Sequence, residues 1–193
     1  MPALRKEILR SERLIVLESV DSTNNYAKEL ARQGAVHGTA VIADGQTAGR
    51  GRRGRRFASA KGLGLYCSVV LRPQLSPEAL MTLTVLAAEA SRRAIREVFG
   101  MEPGIKWIND LVYEGKKLCG ILTELGFSGS IPDYAVVGIG INCNQQPEDF
   151  PPEVAAMATS IRQILGCEVN RAPLAAALLR QLELALRDQS TWL

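Results

Sequence analysis

Residues 49 to 71 read GRGRRGRRFASAKGLGLYCSVVL, and the segment after the glycines decides the fold. Gly49, Gly51 and Gly54 spell G-x-G-x-x-G, which in a dinucleotide-binding unit opens a helix directly after a strand. Here they run into residues 64 to 71, a β-rich segment ended by Pro73, so the match to a doubly wound fold is accidental. The chain also lacks G-x-x-x-x-G-K-[ST], which excludes a P-loop. Any phosphate bound here has to be held by the arginines themselves.

Five arginines between Gly49 and Arg56 suit that task. A guanidinium keeps its charge at physiological pH and offers a planar fork matched to phosphate, and glycine lets the backbone approach a ligand closely. Three readings stay open on these residues alone: a solvated basic loop, an Arg/Gly nucleic-acid binder, and a clamp for a nucleoside triphosphate. Nucleic-acid segments of this kind interleave aromatics or extend into a wider basic surface, whereas only Phe57 succeeds the arginines here and the net charge is +3. Residues 39 to 43 form a strand before the loop, so strand, loop, strand makes it a lid.

The chain has 193 residues, 47% hydrophobic and 22% charged, which fits a single domain spanning 1 to 193 with a substantial core. The longest apolar runs fall short of the ~18 residues that cross a bilayer, and residues 1 to 13 lack a signal-peptide core, which predicts a cytoplasmic protein with no membrane partner. Cys67, Cys119, Cys143 and Cys167 are scattered, with one histidine, His37, in a glycine-flanked turn, so no metal site is expected from protein ligands alone.

Upstream of the loop, residues 3 to 10 suggest a charged helix and residues 14 to 17 a short buried strand. Asp21-Ser22-Thr23-Asn24-Asn25 then reads as a turn and helix start, with Ser22 or Thr23 as cap or facing a ligand, and the helix stops at Gly34. Downstream, apolar spacing predicts a core helix over residues 77 to 99, ended by Gly100. In residues 104 to 110, GIKWIND, alternation sets Lys106 opposite Ile105 and Trp107; if those two face the core, Lys106 faces the site. Two further strands are expected over 117 to 124 and 134 to 142. Gly138 and Gly140 share one face with Asn142, a bare floor that Gly120 extends, on which a flat ligand or a tightly packed helix could rest. After a proline-marked loop come helices over 159 to 165 and from the cap Asn170 through Leu174, Leu178, Leu182 and Leu186.

Taken together, DSTN (21 to 24), GQTAGRGRRGRRF (45 to 57), KWIND (106 to 110), KLCGIL (117 to 122) and GIGIN (138 to 142) resemble the biotin protein ligases, over roughly residues 14 to 186. The resemblance implies an α+β fold, a mixed, largely antiparallel sheet flanked by helices as in class II aminoacyl-tRNA synthetases. It implies two steps: ATP, with Mg²⁺, activates the biotin carboxylate as biotinyl-AMP, and a lysine of a biotin carboxyl carrier protein then takes the biotinyl group. Lys106 matches the family's catalytic lysine, with Arg52 as its companion in catalysis. Ser22, Thr23, Asn24, Gln46, Arg50, Gly51, Arg52, Lys106, Gly120, Gly138 and Gly140 match biotin-binding positions, and Arg52, Arg53, Arg55, Phe57 and Asn142 match nucleotide-binding ones. On this reading the glycines keep the loop open until the adenylate orders it.

The chain departs from the pattern in three ways. Phe57 stands where many members have tryptophan, and Ile108 where the family usually has proline. The helix-turn-helix module and the small C-terminal barrel have no counterpart in residues 1 to 193, so DNA is not an expected partner. The family is compatible with a homodimer. A lipoate protein ligase of the same fold is the nearest alternative, and the full arginine loop argues against it.

Overall fold

The computed structural model describes residues 13–72, 81–129 and 131–187. Seven strands form one sheet: β1 Leu14–Leu17, β2 Thr39–Ala43, β3 Gly64–Leu71, β4 Gly104–Lys106, β5 Asp110–Tyr113, β6 Lys116–Ser128 and β7 Ile131–Asn142. Their order is β1-β2-β3-β7-β6-β5-β4. Only β1 and β2 run parallel, and the other neighbours are antiparallel. The sheet is therefore mixed and largely antiparallel, as the motifs implied.

Period-two alternation gives this sheet two unlike faces. One carries Ile42, Cys67, Ile139 and Ile121 in a single cross-strand row, all buried. Against it pack α2 (Met81–Phe99) and α5 (Arg171–Arg187) through Leu83, Ala87, Ala94, Ile95, Leu174 and Leu178. Full burial of Leu174 and Leu178 contributes about 2 kcal/mol each. Asn170 accepts from the Ala172 amide at 3.0 Å and so caps α5 as its side chain predicts.

The other face is only half covered. Helix α1 (Thr23–Arg32) lays Ala27 and Ala31 on Val41, Val70 and Val136. Its C-terminus is met by Arg72, whose guanidinium donates to Ala31 O of the last turn at 2.6 Å and, just past the helix, to Ala35 O at 2.9 Å. Beyond the N-terminus of α1 the register aligns Ala43, Tyr66, Gly140, Gly120, Asp110 and Lys106 in one row, with Gly138 and Leu122 in the next. The three glycines among them open a cleft.

Several expectations change in detail. β1 is an edge strand and half-buried rather than buried. Of the expected helix over 77 to 99, residues 81 to 99 are helical and 77 to 80 lie outside the described residues, as does the expected helix over 3 to 10. Residues 104 to 110 split into β4, a turn and the start of β5, and the strand at 110 to 113 is additional. Ile105 pairs with buried Leu111 and so points to the core side, yet at the sheet edge it stays 38% exposed, and Trp107, beyond the strand, is 76% exposed. The Trp107–Ile108 peptide is cis. The proline-marked loop contains a 3₁₀ turn, Pro147–Asp149, and the short α3, Pro152–Ala155; α4 (Ile161–Leu165) comes next, capped by Ser160.

Candidate active site

The cleft, with the open solvent at its mouth, takes in about 450 Å³ between the first turn of α1, the arginine loop, β6 and β7. Its polar wall is one hydrogen-bonded chain. The amide and hydroxyl of Thr23 both donate to Gln46 Oε1, at 2.8 and 3.0 Å. Gln46 Nε2 donates to Ser59 Oγ at 2.8 Å, and Ser59 donates to the Phe57 carbonyl at 2.9 Å. Ser68, in the middle of β3, lies 2.6 Å from Asn24 Oδ1 and 2.8 Å from Thr23 Oγ1. A hydroxyl has one proton, so Ser68 serves one of them at a time. Asn24 Nδ2 in turn donates to Leu122 O at 3.3 Å and to Glu124 Oε2 at 2.9 Å.

This wall corrects the capping expectation. Ser22 holds the N-cap position by its extended backbone, but its side chain makes no cap bond. Gln46, distant in sequence, receives the Thr23 amide instead, which frees the Ser22 hydroxyl in the cleft lining.

The glycine floor is not bare. A Cβ on Gly138 would sit 2.0 Å from Asn24 Oδ1, and one on Gly140 2.6 Å from the Phe57 ring, so these two glycines make room for protein groups. Phe57 lies across Gly140 toward Gly120 and meets Tyr66 edge-on, with centroids 6.4 Å apart. Gly120, Gly138 and Gly140 all still line the cleft.

The arginine loop folds as a small hairpin. Gly51 N donates to Arg55 O at 2.7 Å and Phe57 N to Gly49 O at 2.9 Å, and the tip turns through Arg53 and Gly54, both at positive φ. Arg50 and Arg52 point inward. Arg50 pairs with Glu124 at 2.9 Å and donates to Asn25 Oδ1 at 3.1 Å; Arg52 donates to Asn109 Oδ1 at 2.8 Å. Arg53 and Arg55 stay exposed and outside the lining. Burial alone would raise the Glu124 pKa, but hydrogen bonds from Asn24 and Lys28, with the charges of Lys28 and Arg50, hold it below the usual carboxylate range.

Two lysines share this side of the sheet. Lys117 lines the cleft, pairs with Asp110 at 2.7 Å and reaches to 3.1 Å from where a Gly120 Cβ would stand. Lys106, singled out from the sequence, is exposed on β4 and absent from the lining. It belongs to the row of Asp110 and Gly120, so it faces the correct side, about 10 Å from Gly120 across two strand spacings. Asn142 also lies outside the lining. It is buried, and its amide donates to Thr159 O at 2.9 Å and Lys117 O at 3.4 Å, which holds β7 to β6 and the loop before α4. Sequence reasoning missed Lys117, Asn109, Ser59, Ser68 and Glu124. Among the described residues no group of three or more His, Cys, Asp or Glu gathers to hold a metal.

Residues 16–142, which contain the whole of this cleft, match the model of the biotin/lipoate A/B protein ligase family. The chain belongs to that family. It is 42% identical over 188 residues to the bifunctional ligase/repressor BirA of Bacillus subtilis, covering 97% of this chain and 58% of that protein. It is 34% identical over 175 residues to the biotin–[acetyl-CoA-carboxylase] ligase of Mycobacterium tuberculosis, covering 88% of this chain and 62% of that one. The chain thus spans a little over half the length of the curated relatives it matches. Among solved structures it is similar to the Aquifex aeolicus biotin protein ligase in complex with biotin and ATP, at 35% identity and a TM-score of 0.79, over 92% of this chain and 72% of that one. The Leishmania major biotin protein ligase in complex with biotinyl-5-AMP gives a TM-score of 0.74 at 27% identity, over 93% and 80% of the respective chains.

Proposed function

We propose that this member of the ligase family activates biotin with ATP and transfers the biotinyl group to a lysine of a carboxyl carrier protein. The observation that carries the reading is the position of Lys117: one cleft is lined both by this lysine, beside Asp110 and Gly120, and by the Ser22, Thr23 and Gln46 wall, with Arg50 and Arg52 in the same lining. A ligand with a polar ring at one end and a carboxylate at the other suits such a slot. The biotin ligases among the relatives support biotin over lipoate for the same slot.

Asn24 spends both amide hydrogens and its oxygen on protein partners, so it shapes the wall more than it binds. Ring recognition falls to the Ser22 hydroxyl and to the second Nε2 hydrogen of Gln46. The carboxylate meets Lys117, which exchanges part of its pairing with Asp110 for the substrate. Attack on the α-phosphorus brings like charges together; Lys117 and Arg52 neutralise the charge that develops, and pyrophosphate leaves. Lys106, Arg53 and Arg55 reach the nucleotide from the rim, with Mg²⁺ entering as part of the ATP substrate. Phe57 offers its ring to the adenine. With the arginine loop ordered around it, the mixed anhydride is shielded from water until a carrier lysine attacks its carbonyl and AMP departs.

No described helix is long and apolar enough to cross a membrane. A cytoplasmic setting, where ATP and carrier meet, completes the reading. Arg50 and Arg52 turn inward to Glu124 and Asn109, which speaks against an Arg/Gly nucleic-acid surface. The test is exchange of labelled pyrophosphate into ATP with biotin or lipoate as the acid, then label transfer to a carrier domain. Exchange with biotin alone is expected; exchange with lipoate alone, or salt-sensitive nucleic-acid binding without exchange, would overturn the proposal.

A further inference from the structure

Glu124 stands on β6 two residues beyond the cleft-lining Leu122, and three side chains from two parts of the molecule, helix α1 and the arginine loop, end on its carboxylate. Oε1 receives Lys28 Nζ of α1 and Arg50 Nη2 of the arginine loop, each at 2.9 Å; Oε2 receives Asn24 Nδ2 at 2.9 Å. The Glu124 and Lys28 side chains are 19% and 16% exposed, whereas Arg50 is 45% exposed. Two cations on one oxygen repel each other unless the carboxylate lies between them. Of the two, the well-exposed Arg50 is the one that can leave for water. Its hairpin is tied internally by the Gly51 to Arg55 and Phe57 to Gly49 bonds, so a released Arg50 takes the loop with it.

We propose that Glu124 is a positioning residue: it latches the arginine loop over the cleft and, through Asn24, ties that closure to the polar wall that receives the ligand's ring. The proposal rests on the ligase reading for its kinetic form and on geometry alone for its structural form. Closure retains the acyl-adenylate, so the lifetime of the latch sets how long the intermediate stays bound. Because Arg50 is half-exposed, salt screens the contact.

The full chain carrying Glu124→Gln, which keeps the shape and an acceptor for Asn24, is compared with wild type and with Lys28→Met, which removes a cation but leaves the latch. Release of labelled biotinyl-adenylate is expected to be about tenfold faster in Glu124→Gln and unchanged in Lys28→Met. Raising salt from about 0.05 to 0.5 M should speed release from wild type and leave Glu124→Gln flat, a response that a purely structural role would not produce. Amide exchange at residues 50–56, read without substrate, should quicken in Glu124→Gln. Glu124→Asp, with its charge kept but its reach shortened, should fall between and serves if Glu124→Gln does not fold. Equal release and equal amide exchange in wild type and Glu124→Gln would overturn the latch, as would equal acceleration in Lys28→Met. Absence of biotin-dependent exchange in wild type sinks the ligase reading instead, and the amide exchange still decides the latch.

Discussion

Lys117 is held where two demands conflict. Its pairing with Asp110 keeps the ammonium aimed, yet on the proposed reading a substrate carboxylate has to compete for the same charge. A side chain that meets charge developing in the transition state is worth about 3 kcal/mol, or a rate factor on the order of 100. Lys117→Ala is therefore expected to cut kcat/KM for biotin-dependent pyrophosphate exchange about 100-fold, with Lys106→Ala giving a smaller loss expressed mainly in KM for ATP. The reverse order would assign the carboxylate to Lys106 instead. Gly138 presents a second residue-level constraint, since a methyl there meets Asn24 Oδ1 at 2.0 Å against a wall fixed by Ser68 and Glu124. Gly138→Ala should lower stability by about 1–3 kcal/mol in chemical unfolding and raise the KM for biotin, because Asn24 has nowhere to retreat. Unchanged unfolding would show that the wall is softer than its hydrogen bonds suggest.

Elements bring together what single residues cannot. The arginine loop is a lid by position, anchored on one side by Arg50 to Glu124 and on the other by Arg52 to Asn109. Arg52→Gly removes the second anchor and a cation over the cleft while leaving the Ser22, Thr23 and Gln46 wall intact. Biotin binding is expected to stay measurable, and the adenylate to escape about tenfold faster. Titration calorimetry and a filter assay of retained label separate the two effects, and full retention would remove the lid from the mechanism. Helix α1 works the same way at the other end of the cleft. Its first turn delivers Ser22, Thr23 and Asn24, and because Gln46 supplies the cap bond from the next segment, helix start and loop base are one structure. Local capping rules could not anticipate a cap from a residue 23 positions away.

Across the whole molecule, burial separates chemistry from scaffold. Cys67, Cys119 and Cys143 are buried and Cys167 is exposed. Burial pushes the Cys67 and Cys143 thiols up to about 12, and Cys119 higher still. A thiol reagent should thus label one cysteine rapidly in the native protein and the remaining three only on unfolding, with mass spectrometry assigning the first to Cys167. Rapid labelling of more than one would mean that the core face opens. Much of the scaffold is written in local pattern: strands 14–17, 39–43 and 64–71 begin and end where β-branched runs and turn residues place them, and the leucine stripe of α5 is where its period puts it. The motifs also determine the family, since the arginine loop, the DSTN turn and the glycine-bearing strands are strings of neighbouring residues. Tertiary structure alone decided which lysine enters the cleft. Alternation from Gly120 sends Lys117 to the core face, but the register shift between Leu111 and Val112 lets two residues of β6 oppose one of β5 and turns Lys117 to the other side. It also decided what the glycines are for: Asn24 over Gly138 and Phe57 over Gly140 come from segments far away in the chain, and only packing brings them there. Short-range pattern specifies elements because backbone geometry repeats every few residues; long-range register and contact depend on the whole sheet closing at once.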